Sequence, residues 1–407
     1  MTTTLLYAKI ISECTVHVRL EPEIHYERKA YMIINKPPMG WNSWNTFGSD
    51  INEDVIRESA EALISSGLRD AGYEYVVIDD CWSMRERDEN GRIVENRTLF
   101  PNGIRALSDY IHSLGLKFGM YSCAGLRTCA GFPASFDREF IDAETFADFG
   151  VDYLKYDFCF FPKERDAMQY YNRMGMALKA TGRDIVFSAC NWGERESEKW
   201  MRSTGAHLYR STGDIGERFS SVRDIARSQF DKLRYSAPGC YNDMDMLICG
   251  MDGIGNVGHP GLCGDIEYKT HFALWCMAGS PLMIGTDLRR LRPEMLELLT
   301  NPGLLRINGD AECRPPIVNT FGRQSCPALF KHLSDREFAL GFFNLCDEEA
   351  TSDFRPYEIG LNPDLGFGLK LREVFTGETI DYLNDYIEFR LQPHDCKVFI
   401  GSYVTKD

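Results

Sequence analysis

Apolar segments alternate with helical patterns along most of the chain, from Lys36 onward. In INEDVIRESAEALISSG, apolar residues from Val55 to Ile64 recur at helical spacing, and Gly67 ends the pattern. The next segment, YEYVVIDD, is a short apolar run typical of a buried strand. Further strands are predicted in LKFGMYS, VDYLKYDF, DIVFSACN, HLYRSTGD and PLMIGT, and further helices in IRALSDYIHSLG, AETFADFG, MQYYNRMGMALKATG and KTHFALWCMAG.

This alternation of strands and helices predicts an α/β fold, a parallel (β/α)8 TIM barrel over residues 36–312. A doubly wound open sheet is the alternative, but no Gly-rich phosphate loop follows the first strand. Beyond RINGDAECRPP, the segments EFALGFFNL, LKLREVFTG, YIEFRL and DCKVFIGSYV are short strands between turn residues. They predict a small C-terminal antiparallel β-sandwich domain at 315–407, and residues 1–35 form an N-terminal extension.

Charge and hydropathy disfavour several classes of partner. The 407 residues carry a formal net charge of −15, with a pI of about 5.1. We therefore expect no nucleic-acid partner and no binding to an anionic membrane surface. The longest apolar run, FALWCMAGSPLMIG, contains Gly and Pro and is shorter than the ~20 residues that a membrane span needs. A neutral substrate is compatible with these values.

The N-terminus and the cysteines favour a cytoplasmic protein. Lys9 and Glu13 interrupt the first apolar stretch and no small-residue cleavage site follows, so we expect no secretory signal. The 14 cysteines include no CxxC pair, which argues against zinc ligation. A disulfide scaffold is implausible for a chain of this length, and buried free thiols in a reducing compartment are the expectation.

Chemistry in a parallel barrel takes place at the C-terminal ends of the strands. Acids dominate there, with two cations and several aromatic residues, and no His is among them. Paired carboxylates with aromatic walls suit glycoside hydrolysis, whereas acyl transfer would show a nucleophile with a His partner. The strand-end candidates are Asp79, Asp80, Tyr121, Lys155, Asp157, Asn191, Trp192, Arg210, Asp214, Asp243 and Asp245.

The segment LKYDFC places Lys155 and Asp157 on one face of a strand that is otherwise apolar. A purely structural ion pair is one explanation, and a catalytic pair is the other. The remaining candidates have structural alternatives too: Asp79 and Asp80 as a helix cap, Asp243 and Asp245 as a turn, Arg210 and Asp214 as a surface salt bridge, and Trp41 and Trp44 as core residues rather than walls for a sugar ring.

Seven stretches together resemble one family of enzymes. In chain order they are KPPMGWNSWNTF, LRDAGYEYVVIDDCW, TCAGFPASF, FADFGVDYLKYDFC, CNWG, RSTGDI and NDMDML, between Lys36 and Asp310. They resemble glycoside hydrolase family 27, the melibiase family of retaining α-galactosidases and α-N-acetylgalactosaminidases. That family combines a (β/α)8 barrel with an antiparallel β domain, as the element pattern also predicts.

The resemblance implies a role for each matching residue. Asp157 is the expected nucleophile, Asp214 the expected acid/base, and Asp79 and Asp80 the pair that binds the 4- and 6-hydroxyls of galactose. Retention then requires the two catalytic carboxyls to lie about 5–5.5 Å apart. The other expected sugar-binding residues are Trp44, Tyr121, Lys155, Asn191, Trp192, Arg210, Asp245 and Met246. Lys155 is expected to lower the pKa of Asp157, and Asp214 is expected to have a raised pKa.

Some positions depart from the family pattern. Asn191 stands where many members carry Glu, and Glu194 stands where members that accept N-acetylgalactosamine have a small residue, which favours galactose. Cys129 and Cys159 match a family disulfide, although free thiols are expected in a cytoplasmic protein.

The sequence therefore predicts an exo-α-galactosidase that acts on a glycoside or oligosaccharide. α-N-acetylgalactosaminidase, β-L-arabinopyranosidase and a non-catalytic carbohydrate-binding protein are the alternatives. No metal or other cofactor is implied, because the acids lack the spacing of a known metal loop. The resemblance is also compatible with a homo-oligomer.

Overall fold

The computed structural model describes residues 32–319 and 325–405. The predicted N-terminal extension, residues 1–35, lies almost entirely outside the described residues and stays a prediction.

Eight parallel strands form the first sheet, as the sequence predicts. They are β1 (Met39–Asn42), β2 (Tyr75–Val77), β3 (Lys117–Cys123), β4 (Tyr153–Asp157), β5 (Val186–Cys190), β6 (Leu208–Arg210), β7 (Tyr241–Asp243) and β8 (Leu282–Ile284). From β1 to β7 each strand pairs with the next one in sequence, and β1 also pairs with β8. A parallel bridge between Leu247, just after β7, and Ile284 in β8 completes the ring. The (β/α)8 barrel is thereby confirmed.

Helices connect the barrel strands on the outside. They are α1 (Trp44–Phe47), α2 (Glu53–Ser65), α3 (Leu68–Ala71), α4 (Ile104–Ser113), α5 (Glu139–Asp148), α6 (Ala167–Ala180), α7 (Phe219–Gln229), α8 (Asp265–Ala278), α9 (Pro293–Leu299) and α10 (Pro302–Asn308). The predicted helix after Asn52 begins there because the Asn52 side chain accepts a hydrogen bond from the Val55 amide. Among the residues described, none of these helices is long and apolar enough to span a bilayer.

Strand β4 shows how the barrel positions charged side chains. Leu154 and Tyr156 are fully buried in the core between strands and helices, so the alternate side chains of β4 face the barrel interior. Tyr153 packs in the apolar interior with residues of the neighbouring strands. Lys155 and Asp157 follow it on the same face, toward the C-terminal end of the strand. The strand period therefore carries both charges into the barrel.

The C-terminal strands are antiparallel. They are β9 (Ile317–Asn319), β10 (Ala328–His332), β11 (Glu337–Phe343), β12 (Ala350–Phe354), β13 (Phe367–Glu373), β14 (Thr379–Leu383), β15 (Ile387–Leu391) and β16 (Cys396–Thr405). Six of them form one sheet in the order β14-β13-β16-β11-β10-β9, and β12 pairs with β15. Residues of both sheets, including Phe330, Phe354 and Leu391, share one apolar core. This arrangement is the predicted antiparallel β-sandwich.

The six-stranded sheet is buried on both faces. In β11, Phe338, Leu340 and Phe342 face the sandwich core, whereas Ala339 and Phe343 belong to the core of the barrel. This explains why EFALGFFNL is apolar at consecutive positions rather than at alternate ones. The predicted boundary between residues 312 and 315 separates a parallel sheet from antiparallel ones. Because the barrel and the sandwich share a core, the division into two domains at this boundary stays a prediction.

Lys331 is an exception in this shared core. It lies in β10, is 1% exposed, and its ammonium approaches Gly279 at the end of α8. Among residues 32–319 and 325–405, no carboxylate lies within ion-pair distance of it. Burial lowers the pKa of Lys331 to about 8, although the charges of Cys313, Cys276 and Asp310 act in the other direction.

We expect Lys331→Met to stabilise the protein. The pKa of about 8 in the folded protein lies below the ordinary value of 10.5. The buried charge therefore lowers the free energy of unfolding, and this effect has its full size below pH 8. This cost decreases as pH rises from 8 toward 10.5. The gain at pH 7 should be at most about 3 kcal/mol. Denaturant unfolding at pH 7 and pH 10 measures it, with Lys370→Met, an exposed lysine of β13, as the control. Equal gains at both pH values would contradict the assignment.

Candidate active site

The C-terminal ends of the barrel strands surround one cavity. Ten of the twelve predicted catalytic and sugar-binding residues line it: Trp44, Asp79, Asp80, Tyr121, Lys155, Asp157, Arg210, Asp214, Asp245 and Met246. Four more residues complete the lining: Asn45, Cys129, Ile215 and Val257. The cavity therefore combines five acids and two cations with aromatic and apolar side chains, in the position where barrel enzymes carry out their chemistry.

Four acids of the cavity are oriented by the amide of the next residue. Asp79 accepts a hydrogen bond from the Asp80 amide at 3.0 Å, and Asp80 accepts one from the Cys81 amide at 2.7 Å. Asp157 and Asp245 do the same with the residues that follow them, at 2.9 and 2.8 Å. One carboxylate oxygen of each acid is thus held by the backbone. This orientation excludes the helix-cap alternative for Asp79 and Asp80, because neither acid precedes a helix turn that it caps.

Lys155 forms its ion pair with Asp79 and not with Asp157. Its ammonium lies 2.7 Å from Oδ2 of Asp79, which also accepts a hydrogen bond from Asn42 at 2.8 Å. Asp157 instead accepts a hydrogen bond from the Tyr121 hydroxyl through Oδ2, at 3.1 Å. The ion pair of Lys155 therefore links β4 to the loop after β2, whereas the sequence pattern pairs Lys155 with Asp157 on β4 itself.

The charge of Lys155 lowers the pKa of Asp157, as predicted, but the expectation that it outweighs burial is wrong. Burial is the largest influence and raises the pKa of Asp157, which is 5% exposed. The charges of Lys155 and Arg210 lower it, but by less than burial raises it. Burial and neighbouring charges also act on Lys155, each with the opposite effect on the pKa. Burial lowers the pKa of Lys155, whereas the charges of Asp79 and Asp157 raise it and outweigh burial.

Arg210 connects two acids of the cavity. Its guanidinium lies 2.6 Å from Asp214 and 3.0 Å from Asp245, whose Oδ2 also accepts the Ile215 amide at 2.7 Å. Arg210 is 4% exposed, so this is a buried cluster rather than a surface salt bridge, although the Asp214 side chain is 74% exposed. Desolvation acts to raise the pKa of Asp214, but the charge and hydrogen bond of Arg210 outweigh it and lower the pKa. The predicted raised pKa of Asp214 is therefore wrong.

Asp243 lies beneath the cavity. One of its oxygens accepts a hydrogen bond from the Asp245 amide at 2.8 Å, and the residue is 9% exposed. Burial, and then the charge of Asp245, raise the pKa of Asp243 to about 6. Asp245 has a φ of +78°, a conformation that is costly for a residue with a side chain. This backbone turn separates the two acids: Asp245 reaches the cavity, and Asp243 remains below it.

Two predicted sugar-binding residues do not line the cavity. The buried Asn191 uses its amide within its own loop, donating to the Glu194 carbonyl at 2.7 Å and accepting from the Gly193 amide at 3.2 Å. Trp192 packs beside Cys123, Ala134 and Cys159 instead. Their roles in sugar binding stay predictions, as does the exclusion of an acetamide group by Glu194, whose side chain is exposed.

The tryptophans of GWNSWN divide between core and cavity. Trp41 is fully buried and donates to the Thr286 carbonyl at 2.9 Å, as a core residue would. Trp44 lines the cavity.

Sequence reasoning missed three lining residues, because none of them is at a strand end. Asn45 belongs to the short helix α1, is 2% exposed, and its Nδ2 has no hydrogen-bond partner among the described residues. Ile215 and Val257 belong to loops and are apolar, so they carry no chemical signal in the sequence. The position of Asn45, directly after Trp44, is the one signal that could have found it.

Cys129 and Cys159 form a disulfide beside Asp157, with Cα atoms 5.2 Å apart. This is the pair that the family resemblance implies. The two sulfurs and a carboxylate oxygen of Asp157 lie within 4.8 Å of one another. A metal would need both cysteines as thiolates, and the disulfide removes them as ligands. The group therefore does not form a metal site in this state.

A larger cavity, of about 750 Å³, lies between α10 and the strands β13 and β16. Most of its charged residues are engaged with other protein groups: Arg306 with Asp310 and Glu337, Lys370 with Asp381, and Glu373 with the amides of Phe375 and Thr376. It holds none of the strand-end acids. The smaller cavity at the barrel end is therefore the candidate active site.

Comparisons with known proteins show the family of the chain. Residues 36–310 match the family model described as Alpha galactosidase A. The α-galactosidase of Cyamopsis tetragonoloba is 39% identical over 390 residues, which cover 92% of this chain and 89% of that protein. The crystal structure of α-galactosidase I from Mortierella vinacea has a TM-score of 0.84 and 29% identity, and the match covers 93% of this chain and all of that one.

The structure of α-galactosidase from Saccharomyces cerevisiae with raffinose has a TM-score of 0.82 and 25% identity, covering 91% of this chain and 98% of that chain. The family model spans more than half of the chain, and its range coincides with the seven motifs of the sequence. The chain therefore belongs to the Alpha galactosidase A family, which is glycoside hydrolase family 27.

Proposed function

We propose that this protein is a retaining exo-α-galactosidase. One observation carries the proposal: in a member of the Alpha galactosidase A family, Asp157 and Asp214 line a single closed-ended cavity with the acids and cations expected to bind galactose. Such a cavity admits the terminal sugar of a chain, because β-strands and side chains close it from below. The substrate is a terminal α-linked galactose of a glycoside or oligosaccharide.

The reaction proceeds by two displacements. Asp157 attacks the anomeric carbon while Asp214 gives its proton to the leaving oxygen, which forms a covalent galactosyl-enzyme. Asp214 then removes a proton from water, and the resulting attack releases galactose and restores the Asp157 carboxylate. The fixed position of Asp157, held by the Phe158 amide and the Tyr121 hydroxyl, supports its role as nucleophile. The exposed side chain of Asp214 can reach both the leaving group and water.

The acids and cations around the cavity bind the sugar hydroxyls. Asp79 and Asp80 present two buried, backbone-oriented carboxylates side by side, an arrangement that accepts hydrogen bonds from two neighbouring hydroxyls. Lys155, Arg210 and Asp245 supply further charged hydrogen bonds. Trp44 and Met246 offer apolar surface to the ring.

We also propose a reducing, cytoplasmic location. Buried thiols at Cys81, Cys123 and Cys190 are unpaired, which suits that compartment. The Cys129–Cys159 disulfide then forms after oxidation. Alkylation of freshly lysed cells followed by mass spectrometry would test this: blocked Cys129 and Cys159 support the location, and a complete disulfide contradicts it. A homo-oligomer and the absence of a nucleic-acid partner stay predictions.

The sugar itself can be tested with chromogenic substrates. We expect kcat/KM for an α-galactoside to exceed that for an α-N-acetylgalactosaminide and for a β-L-arabinopyranoside by more than about tenfold. The arabinopyranoside lacks the 6-hydroxyl that the Asp79–Asp80 pair is expected to bind, and Glu194 is expected to exclude the acetamide group of the N-acetylgalactosaminide. A preference for either of the other two sugars would reject α-galactosidase as the activity.

The two catalytic acids are distinguished by azide. Asp157→Ala should lower kcat by on the order of 10⁴, and with an activated substrate azide should then give β-galactosyl azide. Asp214→Ala should instead give α-galactosyl azide, because azide attacks the covalent intermediate from the side that Asp214 serves. Proton NMR identifies both products. Asp109→Ala, an exposed acid of α4, is the control. The opposite assignment of anomers would reverse the two roles, and release of β-galactose by the unaltered enzyme would exclude retention.

The pH profile should reveal the Arg210–Asp214 ion pair. Catalysis needs Asp157 ionised and Asp214 protonated, yet in the free enzyme the pKa of Asp157 is raised and that of Asp214 is lowered. The pH dependence of kcat/KM reports pKa values of the free enzyme, and that of kcat reports those of the enzyme–substrate complex. If substrate displaces Arg210 from Asp214, the pKa of Asp214 rises in the complex, so kcat should begin to fall at a higher pH than kcat/KM does. Measurement of both profiles on one substrate tests this. Coincident basic limbs would show that the ion pair persists in the complex.

A further inference from the structure

The loop after β4 holds one aromatic residue that does not take part in the core. In the segment Phe158–Phe161, the rings of Phe158 and Phe161 stack with centroids 4.5 Å apart, and the Arg195 guanidinium lies over both. Phe160 between them is 62% exposed, and no aromatic ring in the described part of the chain packs against it. Its φ of +53° turns the side chain away from its neighbours, at an energetic cost for a residue other than Gly.

A second exposed apolar residue stands on the adjacent loop. Leu126, in the loop after β3, is 59% exposed, and its amide donates to the Phe160 carbonyl at 3.4 Å. The two loops are pressed together at Gly125, where a Cβ atom would lie only 1.8 Å from the Cys159 carbonyl oxygen and could not be accommodated. Leu126 and Phe160 therefore form a pair of exposed apolar side chains on two joined loops, termed here the Leu126–Phe160 pair.

The pair is continuous with the active site. Cys159 precedes Phe160 and is bonded to Cys129, which lines the active-site cavity. The sulfur of Cys129 also lies 3.6 Å from Oδ2 of Asp157. Both loops leave the C-terminal ends of strands, so the pair lies on the barrel face at which the cavity opens. A group attached to a galactose in the cavity must leave through this face.

We propose that Leu126 and Phe160 form a subsite for the leaving-group sugar of an oligosaccharide substrate. The occupant is a neutral hexose ring, whose C–H face is apolar and packs on an aromatic or aliphatic side chain. Exposed apolar residues beside a catalytic cavity, one of them in a strained conformation, serve binding better than stability. This inference rests on the proposed α-galactosidase activity, and it adds a contact beyond the galactose itself.

Two substrates separate this subsite from the catalytic machinery. Melibiose carries a hexose as leaving group, whereas α-galactosyl fluoride carries none. In Phe160→Ala, kcat/KM for melibiose should fall about fivefold, mainly through KM, and kcat/KM for the fluoride should be unchanged. Leu126→Ala should give a smaller fall of the same kind. Phe160→Trp should retain the activity on melibiose. Alanine and phenylalanine bear a similar cost at positive φ, so the backbone conformation is not what this substitution tests.

The matched control is Phe367→Ala, a half-exposed phenylalanine of β13 in the sandwich, which should leave both substrates unaffected. Unchanged kcat/KM for melibiose in Phe160→Ala would overturn the subsite. An equal loss on both substrates would overturn it as well, since it would show a structural role for Phe160. If the unaltered enzyme hydrolyses neither substrate, the proposed α-galactosidase activity itself is wrong.

Discussion

Two buried cations, Lys155 and Arg210, hold together the acidic end of the barrel. Lys155 pairs with Asp79, and Arg210 pairs with both Asp214 and Asp245. Without these ion pairs, several carboxylates would be desolvated in one small space, and each unpaired buried charge costs several kcal/mol. The backbone amides that hold one oxygen of each buried acid add a second contribution. The binding cavity therefore depends on charge pairs that cross from strand to strand.

The cations do not neutralise every acid. The end of the barrel holds the five acids of the cavity lining and Asp243 beneath them, against two cations. Asp243 reduces this excess of negative charge, because its raised pKa of about 6 allows it to be protonated under mildly acidic conditions. Asp157, the proposed nucleophile, has a raised pKa and Asp214, the proposed acid/base, has a lowered one, which is the reverse of the order that the proposed reaction uses. The Arg210–Asp214 ion pair therefore opposes the protonation of Asp214 that the proposed reaction needs.

Much of the fold and site follows from local patterns. The strand VDYLKYDF is observed as Tyr153–Asp157 and the helix IRALSDYIHSLG as Ile104–Ser113, because apolar periodicity at 2 and 3.6 residues reports burial directly. The carboxyl ends of parallel strands meet on one face, so a list of strand-end residues identifies most of the cavity. The sandwich strands β9, β10, β12 and β14 were not predicted: β9, β12 and β14 lie at sheet edges with mixed burial, and the five-residue β10 is buried at consecutive positions, so none shows a clear alternation.

By itself, the sequence determined the barrel, the β-sandwich, the family and the identity of the acids, because strand period and motif order are properties of the chain. Only the tertiary structure decided which partner each charge has. Lys155 pairs with Asp79, 76 residues away, rather than with Asp157 on the same strand. Asn191 forms its hydrogen bonds within its own loop, although its position directly after β5 favours the cavity. Partner choice and protonation depend on distances between strands and on burial, and both arise only when the sheet closes into a barrel.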